Sequence, residues 1–123
     1  MNFIKAVRSS AGVQLPSGDT LALALPESVA AHGAAVTVGL RASSLRVQAR
    51  EGDIALRGKV QLAEISGSDT FVHMASGIGD LVAQVTGVHH FDIGAPLVLH
   101  FAPAMALVFD ATDRLLYAPQ RKN

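Results

Sequence analysis

The sequence contains no cysteine and no tryptophan, and it carries no excess of charge of either sign. The lack of cysteine excludes disulfides, thiolate catalysis and zinc sites with cysteine ligands. Ten Lys and Arg balance ten Asp and Glu. Proteins that bind nucleic acid or an anionic membrane surface through electrostatic contacts need clustered Lys and Arg. We therefore expect neither nucleic-acid binding nor direct attachment to a membrane.

Long apolar runs are also missing. No run reaches the roughly 18 residues that a membrane-spanning helix needs, and the N-terminus lacks the apolar segment of a signal peptide. Half of the 123 residues are nevertheless hydrophobic and only 16% are charged, so we expect a folded core rather than disorder. The length suits one domain or two very small intertwined lobes. The lack of cysteine fits a cytoplasmic protein, which is the location that we expect.

One stretch of the chain combines a clear strand pattern with a break in that pattern. From Leu56 to Leu62, apolar residues and glycine alternate with charged and polar ones, which predicts a half-buried β-strand. The alternation then changes phase at Glu64, the turn residues 66–69 follow, and a second strand begins at Thr70. A change of phase beside Gly67 predicts a β-bulge or a sharp bend of the sheet.

The change of phase places Glu64 among the inward-facing positions. A buried carboxylate costs free energy unless it is paired or hydrogen-bonded. Backbone N–H groups at the bulge near Gly67, or the hydroxyls of Ser66, Ser68 and Thr70, are the candidate donors. We therefore favour a structural role for Glu64 at a corner of the sheet over a contact with a ligand or partner. For Arg41 a structural salt bridge or a clamp on the backbone is likewise favoured.

The rest of the chain is a series of short β-rich segments separated by glycine turns at close spacing. They are Phe3–Val7, Ala11–Leu15, Thr20–Leu25, Ala35–Leu40, Leu45–Ala49, Leu81–Thr86, Pro96–Phe101, Ala106–Phe109 and Arg114–Tyr117. Pro26–Gly33 has the composition of one helical turn. Eight to ten short strands without a long helical period predict an all-β sandwich or barrel.

No set of residues with catalytic spacing is present. A G-x-S-x-G elbow is absent, and the segment from Gly52 to Val60 lacks the spacing and the hydroxyl of a phosphate-binding loop. His89 and His90, with Asp92 close by, form the best local group of metal-ligand types. Neighbouring histidines on a strand point to opposite faces, so both could hold one ion only from a loop, and a solvated loop is the favoured interpretation.

An ordered series of motifs, however, is similar to one family. The segments are Met1–Ile4, Val36–Leu45 (compared with V-x-x-G-I-R-P-E-x-L), Gly58–Val60 followed by Glu64–Thr70 (G-x-V, then E-x-x-G-x-[DE]-T), and Ala106–Asp110 (L-x-x-F-D). Together they resemble the transport-associated OB (TOBE) regulatory domain of maltose- and glycerol-3-phosphate-type ABC importer ATPases. The motifs contain Gly39, Arg41, Glu64, Gly67 and Thr70. Ala42-Ser43 replaces the family's Pro-Glu, and Asp113-Arg114 stands where a glycine turn is usual.

The resemblance implies an all-β fold of two intertwined OB-type lobes of short antiparallel strands with one or two short helical turns. It implies one regulatory domain over residues 1–123, cut from a larger ATPase whose upstream nucleotide-binding domain would bind ATP and Mg. This segment would then be non-catalytic and hold no cofactor of its own. Its partners would be that domain, a second ATPase subunit, and a regulatory protein or small ligand. It would touch the membrane only indirectly, through permease subunits on the cytoplasmic face.

Two other hypotheses remain beside this one. A small-ligand module that binds oxyanions would use Ser43-Ser44 and residues 66–70, where hydroxyls and backbone N–H groups are concentrated. A free-standing RNA-binding OB domain is disfavoured by the zero net charge and by aromatic residues making up only 5% of the chain.

Overall fold

The computed structural model describes residues 1–25 and 33–119. The helical turn predicted for Pro26–Gly33 therefore lies, except for Gly33, outside the described residues. The described residues form ten strands: β1 (Asn2–Ser9), β2 (Gly12–Gln14), β3 (Thr20–Leu21), β4 (Ala35–Leu40), β5 (Ile54–Ser66), β6 (Asp69–Ser76), β7 (Gly79–Thr86), β8 (Pro96–Phe101), β9 (Leu107–Phe109) and β10 (Leu115–Tyr117). Two 3-10 turns, Ala42–Ser44 and Pro103–Met105, are the helical elements of this part. It contains no helix that could span a membrane, and the predicted all-β class is confirmed.

The chain divides into two compact units, each built from two segments. Unit 1 consists of Met1–Asn2 and Arg41–Ala102, and unit 2 of Phe3–Leu40 and Pro103–Asn123 as far as these segments are described.

Unit 1 contains a four-stranded antiparallel sheet in the order β7-β6-β5-β8. The predicted alternation along β5 is confirmed, since Leu56 and Val60 are buried while Arg57 and Lys59 are exposed. The other buried apolar side chains of unit 1 come from β6, β7 and β8 and from the residue that follows the 3-10 turn: Leu45, Val72, Met74, Leu81, Ala83, Leu97, Leu99 and Phe101.

A bulge interrupts β5, but it lies earlier than the sequence predicted. The register against β6 shifts between Val60, which faces Met74, and Leu62, which faces His73. The extra residue is therefore Gln61 rather than one beside Gly67. A bulge places two residues opposite one and reverses the facing of every later side chain. This reversal explains why the alternation changes phase without ending the strand.

Gly67 instead occupies the turn of the β5–β6 hairpin. Ser66 faces Asp69, so Gly67 and Ser68 form a two-residue turn. Gly67 has φ 63°, whereas Ser68 has a negative φ, which is the φ pattern of a type II′ turn with glycine at its first position. The glycine serves the tight reversal of the chain.

Each edge strand of the unit 1 sheet is covered at one position. On β7, the side-chain amide of Asn2 donates to the Val82 carbonyl at 2.8 Å, and its Oδ1 accepts from the Val82 N–H at 2.7 Å. On β8, Arg46 exchanges both backbone hydrogen bonds with His100, at 2.8 and 2.7 Å. The prediction of a strand at Leu45–Ala49 was wrong, because the isolated bridge between Arg46 and His100 is the only strand-like pairing described there. Such cover protects edge groups that could otherwise pair with another chain.

Unit 2 contains a six-stranded sheet in the order β10-β9-β4-β1-β2-β3. β1 alternates along its whole length, burying Ile4 and Ala6 on the inner face and exposing Phe3, Lys5 and Val7 on the outer one. The remaining buried apolar residues of this unit are Val13, Leu15, Leu21, Leu23, Val36, Val38, Leu40, Ala106, Leu107, Val108 and Leu116.

β3 is shorter than the predicted strand Thr20–Leu25. The Leu23 N–H donates to the Leu21 carbonyl at 2.9 Å, a three-residue turn of the kind that is common at strand ends. Local hydrogen bonding therefore ends β3 at Leu21, although apolar residues continue beyond it.

Candidate functional site

The end of the β5–β6 hairpin is attached to the loop after β7 through a buried threonine. Thr70 Oγ1 donates to the Gly87 carbonyl at 2.8 Å and accepts from the His89 N–H at 3.0 Å. The Gly87 N–H in turn donates to the Ser68 carbonyl at 2.7 Å. Thr70 has no exposed surface, so these bonds form away from water, where leaving a polar group without a partner is costly. Thr70 therefore fixes the position of this loop.

The histidine pair predicted as the best metal-ligand group lies in the same loop. His89 Nε2 lies 2.8 Å from the Thr86 carbonyl, and its ring centre lies 6.3 Å from that of Phe91. His90 and Asp92 are exposed. Across residues 1–25 and 33–119 no three His, Cys, Asp or Glu side chains lie together as metal ligands would. The geometry of His89 is that of a ring hydrogen-bonded to its own loop.

The predicted inward position of Glu64 was wrong. Its side chain is 60% exposed, and Oε1 lies 3.6 Å from Nε2 of His73. The cause is the bulge at Gln61, which turns Glu64 outward opposite Phe71 and places Ile65 opposite buried Thr70. Ile65 itself is 52% exposed, because it lies near the end of the hairpin. An exposed pair of this kind contributes little to stability. The part of Glu64 in regulation stays a prediction.

The remaining predicted residues lie in different surroundings. Gly39 is buried in β4 opposite Leu107. Arg41 is exposed, and its carbonyl accepts from the Ser44 N–H at 2.9 Å where the 3-10 turn begins. Within the described part of the chain, Arg41 forms neither the predicted salt bridge nor a side-chain clamp on the backbone. The hairpin thus unites Glu64, Gly67 and Thr70, while Gly39 and Arg41 lie outside it, and only a part of these two residues in regulation stays a prediction.

Arg46, which the sequence analysis passed over, forms the ion pair that was predicted for Arg41. Its Nη2 lies 2.9 Å from Oδ1 of Asp53, whose side chain is only 4% exposed. Asp53 Oδ2 also accepts from the Arg50 N–H at 2.9 Å. The hydrogen bond from Arg46, supported by the one from Arg50, holds the pKa of Asp53 below its usual range. The pair therefore ties the turn before β5 to the segment that covers β8.

This ion pair predicts a specific pH dependence of stability. The pKa of Asp53 is lower in the folded state than its usual value of about 3.9. The ionised carboxylate therefore stabilises the fold above that pH, and the contribution is lost as the pH falls through the folded pKa. Asp53→Asn should lower the melting temperature at pH 7, and the difference from the unsubstituted chain should close in acid. Exposed Glu51→Gln is the control, and a difference that does not change with pH would contradict the prediction.

The outer face of unit 2 carries open cavities that the sequence analysis did not predict. One of about 430 Å³ is lined by Lys5, Ala6, Val7, Gln14, Leu15, Pro16 and Gly18. Lys5 and Gln14 contribute an ammonium group and a side-chain amide, both of which can donate to an anion. The N–H groups of Leu15 and Gly18 donate within the turn, to the carbonyls of Asp19 and Leu15. The segments Phe3–Val7 and Ala11–Leu15 were both predicted as strands, but the sequence did not show that an open cavity lies between them.

Comparisons with known proteins agree with the fold. Residues 38–109 match the family described as the TOBE domain. The chain is 30% identical over 117 residues to the sn-glycerol-3-phosphate import ATP-binding protein UgpC of Pectobacterium atrosepticum, covering 94% of this chain and 32% of that protein. A crystal structure of the cytoplasmic molybdate-binding protein ModG with molybdate bound is similar at TM-score 0.68 and 19% identity, covering 87% of this chain and 94% of that one. The chain thus spans about a third of the length of the curated relative, and the similarity to ModG shows the fold.

Proposed function

Because this chain belongs to the TOBE domain family, we propose that it is the regulatory and dimer-supporting C-terminal domain of the ATP-binding subunit of an ABC importer. The solute class is sugars or glycerol-3-phosphate-like compounds. The observation that carries the proposal is the alignment with UgpC, which uses 94% of this chain and only 32% of the importer subunit. A match of this extent is what one domain of a larger subunit produces.

The binding of ATP would then belong to the rest of the subunit and not to this domain. A TOBE domain of OB type is not a catalytic fold, so ATP and Mg would bind an upstream nucleotide-binding domain and this segment would hold no cofactor. Its partners would be that domain, a second copy of the subunit, and a regulatory protein or small ligand. The location would be cytoplasmic, with the membrane reached only through permease subunits. No nucleic acid takes part.

The coding frame upstream of Met1 provides the first test. The proposal expects a P-loop of the form G-x-x-x-x-G-K-[ST] encoded in that frame, because its lysine and backbone N–H groups hold the phosphates of ATP. A stop codon in frame before Met1, without such a motif between them, would contradict the proposal.

A second candidate function is an oxyanion-binding module. Two observations favour it: the shared fold with a structure that contains molybdate, and the cavity beside Lys5 and Gln14. Thr70, one of the hydroxyls first considered for this role, is already committed to Gly87 and His89. The cavity beside Lys5 is therefore the better location.

Calorimetry distinguishes this candidate from the first. Titrations with molybdate, sulfate and glycerol-3-phosphate should show saturable binding of at least one anion, which Lys5→Met should abolish because the ammonium charge is lost. Lys59→Met removes an exposed lysine of unit 1 and should leave binding unchanged. Flat titrations with all three anions would exclude the candidate and leave the first proposal standing.

A further inference from the structure

A second cavity on the outer face of unit 2 is lined by an acidic residue, whereas the first is lined by a lysine. It has a volume of about 400 Å³ and is lined by Phe3, Thr37, Phe109 and Asp113. Phe3, Thr37 and Phe109 lie on the neighbouring strands β1, β4 and β9, and Thr37 faces Phe109 directly in the register. The two phenyl rings meet edge to face, with centres 6.4 Å apart and planes at 61°. Phe3 is 63% exposed, so its ring is available to a ligand.

The fourth residue, Asp113, holds an unusual backbone conformation. Among the described residues other than glycine it alone has a positive φ, 63°. Asn and Asp tolerate this left-handed region better than most residues, although glycine adopts it without penalty. The turn between β9 and β10 sets this φ, at the position where related domains usually have a glycine turn.

The turn between β9 and β10 does not need the carboxylate of Asp113. Asp110 Oδ1 accepts from the Thr112 N–H at 2.8 Å, from Thr112 Oγ1 at 2.7 Å and from the Arg114 N–H at 2.9 Å. Asp110 therefore closes the turn. Only the backbone of Asp113 takes part, its N–H donating to the Asp110 carbonyl at 3.0 Å.

The carboxylate of Asp113 consequently remains available at the cavity. In the described part of the chain its side chain makes no hydrogen bond and no ion pair. Lys5 projects from the same face of β1, but it lines the neighbouring cavities rather than this one. The cavity therefore combines one uncompensated negative charge with two aromatic rings.

This combination selects the class of ligand. An anion would be repelled by the carboxylate, and a neutral apolar group would remove water from it without replacing its interactions. A metal ion needs several oxygen ligands, and one carboxylate with one hydroxyl is too few. An alkylammonium group, in contrast, is attracted both to a carboxylate and to aromatic ring faces.

We propose that this cavity binds a small organic ammonium cation. Asp113 is the counter-ion, the rings of Phe3 and Phe109 contact the alkyl groups, and the Thr37 hydroxyl is placed to hydrogen-bond a polar substituent. The site does not depend on the proposed role in an importer, because none of the four residues was assigned a part in it.

Isothermal titration of the chain with choline chloride tests the proposal. Saturable binding is expected, with affinity at least tenfold higher than for the neutral analogue in which carbon replaces the quaternary nitrogen. Sodium chloride at equal ionic strength serves as the blank. A flat choline titration overturns the proposal, and equal affinity for the neutral analogue overturns it in favour of an apolar docking surface.

Substitutions identify the residues involved. Asp113→Asn keeps the tolerance of the left-handed conformation and removes the charge, so choline affinity should fall at least tenfold while the melting temperature is retained. Asp113→Gly should lose choline binding equally and raise the melting temperature, because glycine adopts this φ freely. Phe3→Leu should weaken binding several-fold. Asp80→Asn, at an exposed position of unit 1, should change nothing, and unchanged choline binding in Asp113→Asn would overturn the assignment.

Discussion

Replacing Gly58 by alanine should destabilise the chain severely. Gly58 lies at the centre of the unit 1 sheet, opposite Ser76 on β6 and Leu97 on β8. A Cβ atom built there would overlap the Ala75 carbonyl oxygen and lie 2.7 Å from Cγ of Met74. A side chain such as Met74 can rotate away, but the backbone of the paired strand can move only by distorting the ladder. Glycine is used where two backbones approach this closely.

The expected loss of stability depends on whether the added methyl group clashes with a side chain or with the backbone. Overpacking a core costs about 1–3 kcal/mol when side chains can adjust, and a clash with backbone belongs at or above the upper end of that range. A loss of about 3 kcal/mol lowers the melting temperature of a domain of this size by roughly 10 °C or more. Against a total stability of about 5–15 kcal/mol, this is a large fraction.

Gly77→Ala is the matched control. Gly77 lies in the β6–β7 turn, has no positive φ, and a Cβ atom there would meet no atom within 4 Å. Thermal and urea unfolding followed by circular dichroism should therefore show a large loss for Gly58→Ala and little change for Gly77→Ala. Similar stability of the two variants would contradict the close approach of β5 and β6 at Gly58.

Thr70→Val should release the loop after β7. The substitution keeps the shape of the side chain and removes its hydroxyl, so the Gly87 carbonyl and the His89 N–H lose their partner. Removing one partner of a buried polar group costs about 1–3 kcal/mol. Because the bonds are local to the loop, part of the effect should appear as local opening rather than as global unfolding.

Hydrogen exchange at the His89 amide measures this effect directly. Its protection should fall strongly in Thr70→Val, while the Val82 amide, which donates to Asn2, should keep its protection. Thr70→Ser retains the hydroxyl and should preserve most of the protection of His89. An unchanged exchange rate at His89 in Thr70→Val would show that the hydroxyl does not hold the loop.

The strands were predictable where local pattern and tertiary pairing agree. β4 and β8 have the bounds that the sequence indicates, because β-branched and apolar residues occupy most of their positions. The segment at Leu45–Ala49 has similar composition but meets another strand only at Arg46. Composition shows that a segment can form a strand, whereas the available partner decides how much of it does.

The position of the bulge also depends on pairing with the neighbouring strand, and the sequence pattern alone did not locate it. The change of phase between Val60 and Gly67 required one extra residue somewhere in that interval, and alternation alone could not place it. The bulge was predicted at Gly67 because glycine often marks a bulge. In the structure, Gly67 instead provides the positive φ that the hairpin turn requires. The facing of Glu64 depended on that choice, and its prediction was therefore wrong.

Features that depend on distant pairing could not be predicted. Nothing in the sequence favours Arg46 over Arg41 as the partner of Asp53, because the choice depends on how the intervening turn folds. The contact of Phe3 with Phe109 likewise needs β1 and β9 to lie on either side of β4. The family, in contrast, was predictable, since its motifs are short, local and in order, and the match over residues 38–109 confirms it.

The mass of the full gene product in solution tests most directly the proposal that this TOBE domain supports the dimer of an importer ATPase subunit. Light scattering without nucleotide should give the mass of a dimer for the complete subunit. Deletion of residues 1–123 should give a monomer. A product that remains dimeric after the deletion, or is monomeric with the domain present, would contradict the account.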